Sequence, residues 1–140
     1  MTVEKKQKGD IAEQAVILKC LQLGWAVLTP IGDRLPYDLV IDTGEKLVKI
    51  QVKSAWLDKK SNNYMVDNRK TNTNTRNRKV NVYNDNDFHY AIIYIEDINI
   101  FYIMPSVIFN SYGSCICFIE EKRQRKAKSY EYRNSWNLII

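Results

Sequence analysis

Asp38, Gln51 and Lys53 are the residues whose types and spacing suit chemistry. Asp38 heads the apolar run Leu39-Val40-Ile41, and Gln51 and Lys53 interrupt a second apolar stretch, Val48–Lys53. Side chains alternate faces along a strand, so Gln51 and Lys53 emerge together while Val52 points the other way. If the two strands are neighbours, all three polar groups converge at one edge of a sheet. A carboxylate and an amide oxygen suit Mg²⁺, which takes a few protein oxygens and keeps several waters. Such an ion makes water nucleophilic and offsets charge on a phosphate. Lys53 has no ligand role; it would orient the attacking water or stabilise charge on the phosphorane. Metal-dependent phosphodiester hydrolysis is the chemistry these residues suggest. The competing reading of Lys49, Gln51 and Lys53 is a solvated strand face, and Asp38, an acid on a strand that otherwise reads as buried, argues against it.

The positioning elements follow from periodicity. From Asp10 to Gly24 the apolar residues Ile11, Ala12, Ala15, Val16 and Leu18 recur at steps of three and four, which predicts a helix. Asp10 is a candidate N-cap, with Glu13 three residues on as its capping-box partner. Glu13 also shares a flank with Ile17 and Cys20, where its carboxylate would look along the sheet and supply the charge that Gln51 lacks. Both readings of Glu13 stand at this level. Strands are expected over Trp25–Thr29, over Tyr37–Asp42 and Lys46–Ala55 as a hairpin about Thr43-Gly44, and over Phe88–Ile95 and Ile98–Met104. In the second hairpin strand Val48, Ile50 and Val52 make the inward face. Ser106–Ser111 reads as a short helical turn capped by Ser106, and Ser114–Ile119 as a further strand. The apolar end Trp136–Ile140 is expected to dock on the core or on another subunit.

At 140 residues the chain is expected to form one domain, residues 1–140, with an insertion at about 56–86. That insertion is rich in Asn, Thr, Lys and Arg, with enough apolar residues (Tyr64, Val80, Val82, Tyr83) for short strands. Arg, Lys and Asn suit phosphates and the edges of guanine and adenine. The insertion is therefore read as a nucleic-acid-reading loop or hairpin instead of an inert loop, with Arg69, Lys70, Arg76, Arg78 and Lys79 as the candidate DNA contacts. A net charge of +5, gathered in 69–79 and in 122–128, agrees with an anionic partner, nucleic acid before membrane. The aromatics Tyr90, Tyr94, Phe101 and Tyr102 are read as core.

No run approaches the ~18 apolar residues of a membrane span, and Met1–Asp10 lacks the apolar centre of a signal peptide. Cys20, Cys115 and Cys117 do not space as a disulfide framework or a zinc site. The single histidine, His89, excludes a paired-histidine metal site within one chain. A cytoplasmic protein is the expectation.

Glu13 on a first helix, Pro36-x-Asp38 on a strand and Gln51-x-Lys53 on the next resemble the PD-(D/E)xK nuclease superfamily, across roughly Gly9 to Pro105. The departure is Gln51, which stands where the last motif usually has an acid. With that variant and a short chain, the sequence is most similar to the homing endonucleases encoded in bacterial group I introns. The resemblance implies an α/β fold, a restriction-endonuclease-like core with a mixed central sheet and flanking helices. It also implies Mg²⁺-dependent cleavage of double-stranded DNA. Catalytic roles then fall to Glu13, Asp38, Gln51 and Lys53, with Asp38, Gln51 and Glu13 as metal ligands. A double-strand break needs two sites, so a homo-oligomer, dimer or tetramer, follows. Two rivals remain: a Holliday-junction resolvase, and a non-catalytic DNA-binding module whose nuclease site has decayed at Gln51.

Overall fold

A computed structural model describes residues 4–71 and 80–140. Helix α1 (Lys5–Gln22) is followed by strands β1 (Ala26–Leu28), β2 (Leu39–Asp42) and β3 (Leu47–Ser54). Next come β4 (Trp56–Asp58), β5 (Asn63–Asp67), β6 (Arg69–Thr71) and β7 (Val80–Val82). The chain continues with β8 (Tyr90–Ile95), β9 (Ile100–Pro105), helix α2 (Ser106–Ser111) and β10 (Cys115–Phe118). The main sheet has the order β1-β2-β3-β8-β9, antiparallel except for the parallel pair β3–β8. A smaller sheet runs β10-β5-β4, and β6 and β7 form a separate two-stranded ribbon.

Alternation along the strands divides the interior into two layers. Val48, Ile50 and Val52 of β3, with Ile92, Tyr94, Phe101 and Ile103 of β8 and β9, pack against Ala12, Val16 and Cys20 of α1. The intervening residues Ala91, Ile93, Ile95, Tyr102 and Met104 face Phe109, Ile116 and Phe118 on the other side. This is a mixed sheet with flanking helices, as the resemblance implied. The four aromatics read as core are buried in these layers, except Tyr90, which is partly buried. The chain end docks on the first layer through Trp136 and Ile139, with the Trp136 ring 5.2 Å from Phe101 and 6.3 Å from Trp25.

Three local expectations are corrected. The helix begins at Lys5, so Asp10 lies inside it and caps nothing; its N-cap is Glu4, without a side-chain bond. Lys5, Lys6, Gln7 and Lys8 are good helix formers that carry no apolar period, and periodicity therefore misses them. Ser106 does not cap α2 either: Pro105 is the N-cap, and Ser106 Oγ donates to the Asp85 carbonyl at 2.9 Å. Finally, 56–86 is not one loop or hairpin. Its first half supplies two strands of the small sheet, and only β6 and β7 form the separate ribbon.

Candidate active site

Strand β3 is the centre of the main sheet, but β2 accompanies it only part of the way. The last cross-strand pair at this end is Leu39↔Ile50, and beyond it β3 pairs with β8 alone. The backbone N–H of Val52 thus faces a place where β2 has no residue, and a buried N–H left there would be costly. Asp38 satisfies it: its Oδ2 accepts the Val52 N–H at 2.8 Å, while its own N–H donates to the Ile50 carbonyl at 2.8 Å. The same Oδ2 accepts from Gln51 Nε2 at 2.9 Å. The strand divergence therefore places Asp38 against Gln51, and the alternation of β3 turns Lys53 to the same side as Gln51.

The electrostatics are those of charges withdrawn from water. Burial raises the Asp38 carboxyl above its usual range, opposed by the Val52 N–H and the Lys53 ammonium. Burial also lowers the Lys53 ammonium, opposed by Asp38 and Asp67. Glu13 is raised by burial first, then by the negative charge of Asp38 and of Asp10. The Asp38 charge thus reaches Glu13, although no hydrogen bond joins them. With the helix start at Lys5, the capping-box reading of Glu13 falls away, because Asp10 is not an N-cap.

Two carboxylates that repel each other in a half-buried site suit a divalent cation, which would remove the cost of their charges. Among the described residues no group of three His, Cys, Asp or Glu side chains gathers for a metal. An ion here would be held by Glu13, Asp38 and the neutral Gln51, with waters completing its shell. Both hydrogen bonds to the Asp38 carboxylate fall on Oδ2. Gln51 turns its NH₂ to Asp38, which leaves Oε1 as the atom able to coordinate.

Sequence reasoning missed the surroundings of Lys53. Its Nζ donates to the Arg69 carbonyl at 3.5 Å and lies 5.1 Å from the centre of the Tyr83 ring. Arg69 opens β6 and Tyr83 follows β7, so both stand at the same end of the ribbon, and that base holds the lysine. Tyr83 is itself wedged against Phe88 and Phe109, with ring centres 5.2 and 6.3 Å away. Nothing in its spacing announces this, because the contact crosses thirty residues of chain. Of the candidate DNA contacts, Arg69 engages Asp67 through both carboxylate oxygens, at 3.1 and 3.2 Å. Lys70 lies on β6; Arg76, Arg78 and Lys79 lie outside the described residues. In the basic tail Lys126 is committed to the Glu121 carbonyl at 2.7 Å.

A helix flanking a mixed sheet, with an acid and a Gln-x-Lys pair where two strands part, defines a nuclease core. The chain belongs to the PD-(D/E)XK endonuclease family, whose model it matches over residues 3–139, and it is a DNA-cleaving hydrolase. It is also similar to a solved structure described as a bacterial homing endonuclease, I-Ssp6803I. Identity is 51% and the TM-score 0.92, over 98% of this chain and 93% of that one. Among curated protein sequences nothing matches. PD-(D/E)XK nucleases generally use divalent metal ions. Among the described residues no helix is long and apolar enough to cross a membrane.

Proposed function

We propose that the protein is a site-specific, Mg²⁺-dependent endonuclease of double-stranded DNA, an intron homing enzyme acting in the cytoplasm as a homo-oligomer. The observation that carries this reading is the contact of Asp38 with Gln51 beside a part-buried Lys53. It occurs on a chain 51% identical to a bacterial homing endonuclease. Asp38 and Glu13 would bring negative charge to the ion and Gln51 a neutral oxygen. When bound, the ion supplies Lewis acidity at the scissile phosphate and a water of lowered pKa. The protein's own groups do the positioning. The Val52 N–H and the Gln51 amide hold Asp38 in one orientation. Lys53, steadied by the Arg69 carbonyl and the Tyr83 ring, offers its ammonium to a phosphate oxygen as charge builds there. Its partial burial strengthens that attraction, because less water screens it.

In this reading residues 1–140 act as one nuclease domain and 56–86 as its DNA-reading insertion. Arg69, Lys70, Arg76, Arg78 and Lys79 are the proposed contacts. Each chain carries one site, so a double-strand break calls for two chains, and a long target favours a tetramer. The test is a digest of bacterial genomic DNA with sequenced ends, with Mg²⁺ or EDTA, comparing wild type with Asp38→Asn and Lys53→Ala. Ends should gather at one or a few sequences, and both variants and EDTA should cut at least ~10²-fold less. Ends scattered everywhere would indicate a low-specificity nuclease. No ends, with cleavage of a four-way junction, would indicate a resolvase; no cleavage of either would indicate a binding module.

A further inference from the structure

We propose that the cleft between the first turns of α1 and the end of β3 binds the sugar-phosphate backbone of the cut strand beside the reacting phosphate. Lys5 and Lys8 would be the phosphate contacts, and Trp56 the apolar wall for a sugar or base. This rests on the endonuclease reading above and says where the strand runs. The cleft has a volume of about 580 Å³, and Lys5, Lys8, Gly9, Lys53, Trp56 and Asp67 are among its walls. Lys53 is shared with the candidate site, so the cleft opens directly from it.

The helix geometry makes the path continuous. Lys5, Gly9 and Glu13 are spaced i, i+4, i+8 and form one row along α1. The row starts at the proposed metal ligand, passes a residue with no side chain and ends at a cation, ~12 Å away at ~1.5 Å per residue. A Cβ at Gly9 would meet nothing within 4 Å, so open space lies above the helix there. Lys8 continues the buried stripe Ala12, Val16, Cys20 by one turn yet is exposed, as a helix end overhanging the sheet would be. Among the described residues neither lysine pairs with a carboxylate. The acid in the cleft, Asp67, is offset by Arg69. Trp56, on the wall shared with Lys53, is 45% exposed, which is high for an indole in a well-packed chain. Unpaired cations beside a half-exposed aromatic ring are what a nucleic-acid backbone and its sugars or bases require.

The probe is a fluorescein-labelled 30-base-pair duplex of arbitrary sequence, followed by anisotropy in EDTA across a salt series, so that cutting plays no part. Lys5→Ala/Lys8→Ala should bind about tenfold more weakly at ~0.1 M salt, and its log K against log[salt] slope should be shallower by about 1.8. Both changes favour an exposed helix start, so folding is not at risk. The control Lys19→Ala/Lys46→Ala removes the same charge elsewhere and should keep the wild-type slope. Emission from Trp56, judged against Trp56→Phe, should fall on adding duplex. A Lys5→Ala/Lys8→Ala slope equal to wild type, or a Trp56 emission that does not respond, overturns the cleft and leaves the endonuclease reading standing. Wild type that binds no duplex at ~50 mM salt overturns both.

Discussion

Asp38 serves two purposes that pull against each other. Its carboxylate replaces the backbone partner that Val52 lacks, which favours folding, but it does so half-buried and near the carboxylate of Glu13. The net effect is a raised carboxyl, so the native state holds the proton more tightly than the unfolded chain. Stability from this group is therefore greatest below its usual value of 3.8 and is lost as pH rises through the higher native value. Asp38→Asn keeps an oxygen for the Val52 N–H and removes the charge. It should abolish cleavage in Mg²⁺ buffer, and in metal-free buffer raise the melting temperature by roughly a few degrees at pH 7, with the gain vanishing near pH 3. Mg²⁺ at about ten times its Kd should then stabilise wild type by about 1.4 kcal/mol and leave the variant unmoved. Melting curves across pH with and without Mg²⁺ test this; a variant less stable than wild type at pH 7 would contradict the electrostatic account.

At the scale of elements, the site depends on strand β3 staying flat against α1 on one face while the other carries polar groups. The docked chain end supports that face. Trp136 is buried against Phe101 and Trp25, and its Nε1 has no hydrogen-bond partner among the described residues. Trp136→Ala should cost about 3–5 kcal/mol by removing a large core ring. Trp136→Phe keeps most of the ring and deletes the unpaired N–H, and should cost less than half as much. Urea denaturation of both variants checks the ratio. A Trp136→Ala cost under ~1 kcal/mol would mean that the chain end is dispensable to the core. Buried Asn68 performs a related task between β5 and β6, donating to the carbonyls of Phe109 and Tyr112 at 3.0 and 2.7 Å. It pins the base of the ribbon to α2, and so keeps Arg69 where its carbonyl meets Lys53.

At the scale of the molecule, the two proposed DNA-binding surfaces have different tasks. The ribbon is proposed to read the target, and the α1 cleft to carry the strand to the site. A single chain offers one such site, and simultaneous cutting of both strands needs a second copy in a fixed relation to the first. Sedimentation at micromolar concentration should give a dimer or tetramer, and closed-circular plasmid bearing the target should pass to linear without accumulating nicked circles. A monomer that only nicks would contradict the proposed double-strand break.

The order of the site was legible in the chain: an acid before an apolar strand, then Gln-x-Lys on the next, is a statement about alternation, which is local physics. So were the main-sheet strands, because burial on both faces leaves short continuous apolar runs bounded by turns, and so was the apolar chain end. What the sequence could not reveal depends on contacts between distant segments. The helix start was hidden because Lys5–Lys8 are helical by propensity alone. The tether of Lys53 by Arg69 and Tyr83 was hidden because neither residue lies near it in the chain. The role of Asp38 as a substitute backbone partner exists only where β2 stops short of β3, and that endpoint is set by packing. Local periodicity determined which residues of one element share a face; the tertiary structure alone decided which of those faces meet in a site, because the long-range contacts that exclude water there carry no local signature.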